Sequence, residues 1–172
     1  NVSLTGGKII NGPIVKDNGN YDLQAGTIDA TAFLTGSAGV LKSGPGVVIL
    51  ASSGHNYTGT TTVSAGTLQL GDGVNIGVTP GAISNNATVT FNPGGEQIWT
   101  NNITGQAGTV IKDGPNQLDV TGIIDGNVIL NAGVTAVPLY PMYTADHVAI
   151  GTFLGGPIGG AVLLGLNFRR IG

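Results

Sequence analysis

The chain is 172 residues long, with 31 glycines, no cysteine, 9% charged residues and a formal net charge of −3. Without cysteine there is no disulfide framework and no thiolate metal site. With Arg169-Arg170 as the one basic cluster, there is no stripe to neutralise phosphates and hence no nucleic-acid surface. At 41% hydrophobic residues it carries too much aliphatic carbon for a disordered segment, and 5% aromatics leave Val, Ile and Leu to supply the core.

Val, Ile and Thr suit pleated strands, while Gly and Asn suit tight corners. In chain order, strands are expected at residues 47–50, 60–63, 67–70, 87–91, 108–111, 117–120 and 127–130. The runs Val47-Val48-Ile49-Leu50 and Asn127-Val128-Ile129-Leu130 are nearly continuous and apolar, which fits strands buried on both faces or strands inside a coil stack. Between the strands lie Ser53-Gly54, Asp72-Gly73, Pro80-Gly81, Asn85-Asn86, Pro93-Gly94-Gly95, Asp113-Gly114-Pro115 and Asp125-Gly126, all with the chemistry of turns. No long helix-period stretch precedes about residue 143. The chain opens on Asn1 without Met or a signal sequence and reads as a fragment or a processed piece.

Self-similarity is the next signal. Residues 35–45 (TGSAGVLKSGP) recur as 104–115 (TGQAGTVIKDGP) with one residue inserted, which matches Lys42 to Lys112 and Gly44 to Gly114. Ala25-Gly26, Ala65-Gly66 and Ala132-Gly133 each stand ahead of a strand-like run. One supersecondary unit used several times suggests a stack of coils. A flat sandwich also explains short strands, but Thr60-Thr61-Thr62 and Asn85-Asn86 are able to form ladders between coils and favour the solenoid.

Three stretches then read together: Leu41-Lys42-Ser43-Gly44-Pro45-Gly46 with its apolar strand, Asn56-Tyr57-Thr58-Gly59-Thr60-Thr61, and Ala65-Gly66-Thr67-Leu68. This series resembles the autotransporter passenger-associated β-helix repeat. Its motif positions here are Lys42, Gly44, Gly46, Asn56, Tyr57, Gly59, Thr61, Ala65 and Gly66, with Lys112 and Gly114 in the second, incomplete copy. The resemblance covers about residues 1–135. It implies an all-β, right-handed parallel β-helix over residues 1–136, exported through an outer membrane and exposed at the bacterial cell surface. There it would act as an adhesin or stalk, with the repeat aiding secretion and folding. Partners would be a host surface, an extracellular-matrix component, or copies of the chain itself.

Residues 137–172 form a different segment, Gly-rich and hydrophobic, irregular with a short helix after Thr144. Val148 to Phe168 holds no charged residue and precedes Arg169 and Arg170. Gly155 with Gly159, and Gly156 with Gly160, have small-xxx-small spacing. Three readings stand: a membrane or interfacial helix giving membrane contact through residues 144–170, a capping or subunit-joining element, and a sequence foreign to the protein.

Chemistry is sparse. Asp113, Asp119 and Asp125 recur at six-residue spacing, and their convergence in a cleft would suit glycan processing. Turn and solvation roles explain them first. His55, between Gly54 and Asn56, reads as an exposed turn residue. Gly71-Asp72-Gly73 offers one carboxylate, too little for calcium. Trp99 is either an exposed contact or a cap over the coil below. Asn56-Tyr57-Thr58, Asn86-Ala87-Thr88 and Asn102-Ile103-Thr104 match the N-glycosylation pattern by abundance of Asn and Thr. The expected protein is a non-enzymatic structural or adhesive solenoid without cofactor or metal. The alternatives are a self-assembling filament or phage-fibre subunit, and a fragment of a glycan-processing β-helix enzyme.

Overall fold

The computed structural model describes residues 2–131. The tail residues Gly155, Gly156, Gly159, Gly160, Arg169 and Arg170, the Ala132-Gly133 element and the boundary expected at residues 136 and 137 lie outside the described residues.

Fifteen strands follow one another without a helix among the described residues: β1 (Val2–Ile9), β2 (Gly12–Val15), β3 (Asn20–Ile28), β4 (Ala32–Thr35), β5 (Gly39–Lys42), β6 (Val47–Leu50), β7 (Thr61–Val63), β8 (Thr67–Leu70), β9 (Ile83–Asn85), β10 (Thr88–Phe91), β11 (Gln97–Trp99), β12 (Ile103–Thr104), β13 (Thr109–Lys112), β14 (Leu118–Val120) and β15 (Asn127–Leu130). Every strand pairing is parallel, and partners belong to successive windings rather than to neighbouring strands in sequence. Val2, Tyr21, Val40, Thr61, Ile83, Ile103 and Ile124 stand one above another, so each coil takes 19 to 22 residues. The chain is a β-solenoid of about 6 turns. Below, coils 1 to 6 begin at residues 2, 20, 39, 61, 83 and 103.

Each coil has three sides. The first carries residues 21–23 of β3, then β5, β7, β9 and β12. The second carries residues 26–28 of β3, then β6, β8, β10, β13 and β15. β3 rounds the corner between them without ending, so both sides, with β1, form one sheet of 11 strands. The third side holds the two-stranded sheets β2–β4 and β11–β14.

Alternation along each short strand sends one row inward. On the second side Val48, Leu50, Leu68, Leu70, Val89 and Phe91 are fully buried. A single coil could shelter none of them, so burial comes from stacking. Val47-Val48-Ile49-Leu50 shows the limit of a hydropathy reading. Val47 is exposed and Ile49 half-buried, so the run sits in a coil stack with one face inward and is not buried on both faces. The Tyr21 hydroxyl, itself inside, lies 2.6 Å from the carbonyl oxygens of both Ile14 and Thr35 and braces the first side against the third.

The two self-similar segments do not share a column. β5 lies on the first side and β13 on the second, so the corner unit has shifted by one side. The local backbone is nevertheless the same, with Gly36 and Gly105 at φ +95° and +124° and Gly44 and Gly114 both at +72°. Corner geometry is local, whereas the side a strand occupies is set by the column its inter-coil pairing joins.

Where coils touch, backbone meets backbone. A Cβ on Gly77 would fall on the Leu50 carbonyl oxygen of the coil before, while a Cβ on Gly81, in the same coil, would meet nothing within 4 Å. Gly77→Ala should therefore lose about 2 kcal/mol or more, by overpacking against immovable backbone. Gly81→Ala should stay within about 0.5 kcal/mol of the parent. Urea unfolding of both variants checks this, and equal stabilities would contradict the close approach at Gly77.

Candidate functional site

The region with the densest specific chemistry is residues 40–70, which run from β5 to β8. Lys42 ends β5 with its side chain turned inward, stacked between Leu23 below and Val63 above, and is fully buried. Its ammonium has three protons to place. It donates to the carbonyl oxygens of Ser43 (2.7 Å), Gly44 (2.9 Å) and Ala65 (2.9 Å). The first two belong to its own corner and the third to the next coil, so one cation ties two coils together. Gly44 and Gly66 both adopt left-handed backbone there, and a Cβ on Gly66 would come within 2.8 Å of Lys42 Nζ. The spacing of Lys42, Gly44, Ala65 and Gly66 thus has one physical origin. Gly46 completes the corner, since a Cβ there would lie 2.7 Å from that of Ala25. Burial lowers the pKa of Lys42 from its ordinary value, and the charge of Asp22 partly restores it.

Lys112 repeats the device one side over. It is buried at the end of β13 and donates to the carbonyls of Asp113 (2.5 Å) and Gly114 (2.9 Å). Its pKa is likewise lowered by burial, against an opposing contribution from Asp113.

The second cluster closes coil 3 on its third side. The Asn56 N–H donates to the Leu34 carbonyl (3.0 Å) and the Thr58 N–H to that of Gly36 (2.9 Å), which seats this irregular stretch on coil 2. Tyr57 is buried, with its hydroxyl 2.6 Å from Thr61 Oγ1, and burial raises its pKa. Gly59 passes so close to Gly39 that no side chain fits. His55 corrects the sequence reading: it is buried, not exposed in a turn. Its Nδ1 accepts the Leu34 N–H at 2.9 Å, which leaves the ring proton on Nε2 of the neutral imidazole, and burial lowers its pKa to about 4. Strict alternation with Tyr57 was the available signal, because residues 55 and 57 share the inward face of an extended segment.

The other candidates do not assemble. Asp113 follows β13, Asp119 lies on β14 and Asp125 follows Ile124, so six-residue spacing places them on three successive sides of the winding, with Asp125 already one coil above Ile103. The Asp113 N–H donates to Phe91 of the second side, Asp119 accepts from Gln117 Nε2 (2.7 Å) on the third, and the Asp125 N–H donates to Ile103 of the first. Asp72 spends its carboxylate on the N–H groups of Val74 and Asn75 and on the Asn75 amide, an Asx-type turn. Trp99 lies inside, edge-on to Phe91 with ring centroids 5.0 Å apart, so it is neither an exposed contact nor a cap. A shallow groove of about 360 Å³ crosses coils 2 to 5 between Ala30, Ala51, Ser53, Val74, Ile76 and Gly94, and no acid or base lines it. Among the described residues no trio of His, Asp or Glu could hold a metal ion, and no helix is long and apolar enough to cross a membrane.

What remains is surface. From residue 30 to residue 95 the charged residues are Lys42, which is buried, and Asp72. From coil 3 upward the second side carries two rows, Val47-Thr67-Thr88-Thr109-Asn127 and Ile49-Gln69-Thr90-Ile111-Ile129, with no charge in either, whereas below Ile49 the second row runs through Thr27 to the exposed Lys8. Rows in a parallel sheet repeat at about 4.8 Å, so this stretch is a flat, uncharged array of methyls, hydroxyls and amides.

Residues 40–70 match the family model described as the passenger-associated-transport-repeat, which points to an autotransporter passenger-type protein. No curated protein and no solved structure shows significant similarity to the chain.

Two outcomes follow from the buried cations and bases. Lys42→Met keeps the stem but strands three carbonyls, and should cost about 2–3 kcal/mol in chemical unfolding; an unchanged midpoint would contradict the tie between coils. His55 has a folded pKa below its unfolded value near 6.5, so the unfolded state binds the extra proton between the two. Stability should be full above about pH 6.5 and fall as pH drops toward 4, by up to roughly 3 kcal/mol. His55→Gln should flatten that slope in unfolding curves taken across the range.

Proposed function

We propose that the chain is a non-enzymatic structural and adhesive piece of a secreted, surface-exposed passenger, in which the corner-tying repeat supports folding after export. The observation that carries this reading is the second side, uncharged from coil 3 upward, standing on a stack stitched by Lys42. A rigid, flat face with few charges offers many weak contacts to a large partner and little electrostatic selectivity. A host-surface or extracellular-matrix component is the partner such a face suits. Folding after export is supported by the same architecture: each new coil finds a preformed edge, so structure can grow from one end.

A glycan-processing role has no comparable support, because the three aspartates in question point to different sides and the groove is without acid or base. Adhesion is tested by placing two like charges on the face. Thr88→Lys with Thr109→Lys, stacked in one row, should reduce binding of the protein to matrix-coated surfaces at least about tenfold, with unchanged circular dichroism. Equal binding by parent and double variant would remove the second side from the proposed role.

A further inference from the structure

The third side is held together differently from the other two. The ladder of β2 with β4 serves coils 1 and 2, that of β11 with β14 serves coils 5 and 6, and among the described residues no strand pairs on this side in coils 3 and 4. Residues 53–59 of coil 3 therefore hold to their neighbours by few bonds. Among the described residues there are three, all to coil 2: the Asn56 N–H donates to the Leu34 carbonyl (3.0 Å), the Thr58 N–H to that of Gly36 (2.9 Å), and the Leu34 N–H to His55 Nδ1 (2.9 Å). Ladders anchor the stretch at both ends, since β6 pairs with β3 and β8, and β7 with β5 and β9.

One of these three bonds is made by a titratable side chain. In a regular parallel ladder a residue donates to the carbonyl just before its partner and accepts from the N–H just after it. Asn56 bonds to Leu34 in that way, which makes His55 the partner of Leu34 and Gly54 the residue whose carbonyl the Leu34 N–H would meet. The imidazole has taken that carbonyl's place. A proton on Nδ1 would remove the acceptor, set two N–H groups against each other and put a charge on a residue that is 5% exposed. No carboxylate stands ready to answer that charge. β4, β5, β7, β11 and residues 76–82 contain none. The ionisable groups on the surrounding elements are otherwise engaged. Tyr57 bonds to Thr61, Tyr21 to the carbonyls of Ile14 and Thr35, Asp22 to Ser43 and Gln24, and Asp72 to Val74 and Asn75. Glu96 is exposed, and Lys42 is itself a buried cation.

We propose that residues 53–59 form an acid-operated flap: protonation of His55 releases this stretch from coil 2 and uncovers Tyr57, while the ladders of the first and second sides stay closed. The sign follows from burial, which holds the pKa of the closed flap at about 4 against about 6.5 for an exposed ring. The open flap binds the proton more tightly, so opening is favoured as pH falls through that window. The other corners do not respond in the same way. They are tied by the ammonium groups of Lys42 and Lys112, which acid leaves as they are. The effect on stability is thereby concentrated in one short stretch between fixed ends.

Amide exchange of the full chain, read residue by residue and corrected for the intrinsic rate, tests the flap. Between about pH 7.5 and about pH 4.5 the amides of Leu34, Asn56 and Thr58 should lose protection by about tenfold or more, while those of β6 and β8 keep theirs. The loss should follow the titration of the His55 ring in NMR spectra of the same samples. His55→Gln carries no titrating group, so whatever protection Asn56 and Thr58 have in that variant at neutral pH should not fall further in acid. Protection at Asn56 and Thr58 that holds throughout the range, a loss shared equally by β6 and β8, or a loss that persists in His55→Gln would overturn the proposal.

Discussion

The structure depends on how closely one coil's backbone can lie on the next. Parallel strands set coil separation at about 4.8 Å along the sides, and corners must keep the same separation although they have no ladder of their own. A side chain directed along the stack at a corner would occupy the neighbouring coil. The chain therefore places glycine where the corners approach, and at Gly77 and Gly94 a Cβ would coincide with carbonyl groups of the coil before. The abundance of glycine is a packing requirement of the stack and not a sign of looseness.

Corners turned inward leave carbonyl groups in the interior, and these need donors. The fold meets that need with long or amide-bearing side chains at strand ends. Lys42 and Lys112 place their ammonium groups against corner carbonyls, Asn85 Nδ2 donates to the Thr109 carbonyl, and Gln97 Nε2 donates to that of Gly77. His55 works in the opposite sense, accepting a backbone N–H where a side of the coil is too irregular for a ladder bond. These buried groups bond to the backbone of an adjacent coil or of their own corner, while among the described residues His55 Nε2, Gln97 Oε1 and Trp99 Nε1 are buried without a protein partner. The polar interior thereby acts along the same axis as the hydrophobic columns and reinforces the stacking that buries it.

Drawing Lys42 inside leaves coils 3 and 4 with little surface charge. Coils 3 and 4, which contain residues 40–70, expose Asp72 as their single charged side chain. An interior tied by cations and an exterior of Thr, Gln, Val and Ile are two consequences of one arrangement. The 22-residue step from Thr61 to Ile83 adds the Asp72–Asn75 excursion, which builds one wall of the shallow groove.

The sequence by itself determined the fold class. Gly-Pro corners, short β-branched runs and the Lys42 to Leu68 motif mark the strands β6, β8 and β15 with their ends, because strand propensity and turn chemistry are local. Strands such as β2, β4 and β11 escaped notice, since Gly12-Pro13-Ile14-Val15 or Gln97-Ile98-Trp99 has no pattern that stands out from its surroundings. Only the tertiary structure decided which side each strand occupies, that Lys42 and Lys112 are buried at different corners, that His55 faces inward, and that Asp113, Asp119 and Asp125 are spread around a coil. Those outcomes depend on where each coil takes up its differences in length, since coils of 19 to 22 residues keep the same columns in register. Spacing along the chain therefore says little about which residues share a side until the coils are stacked.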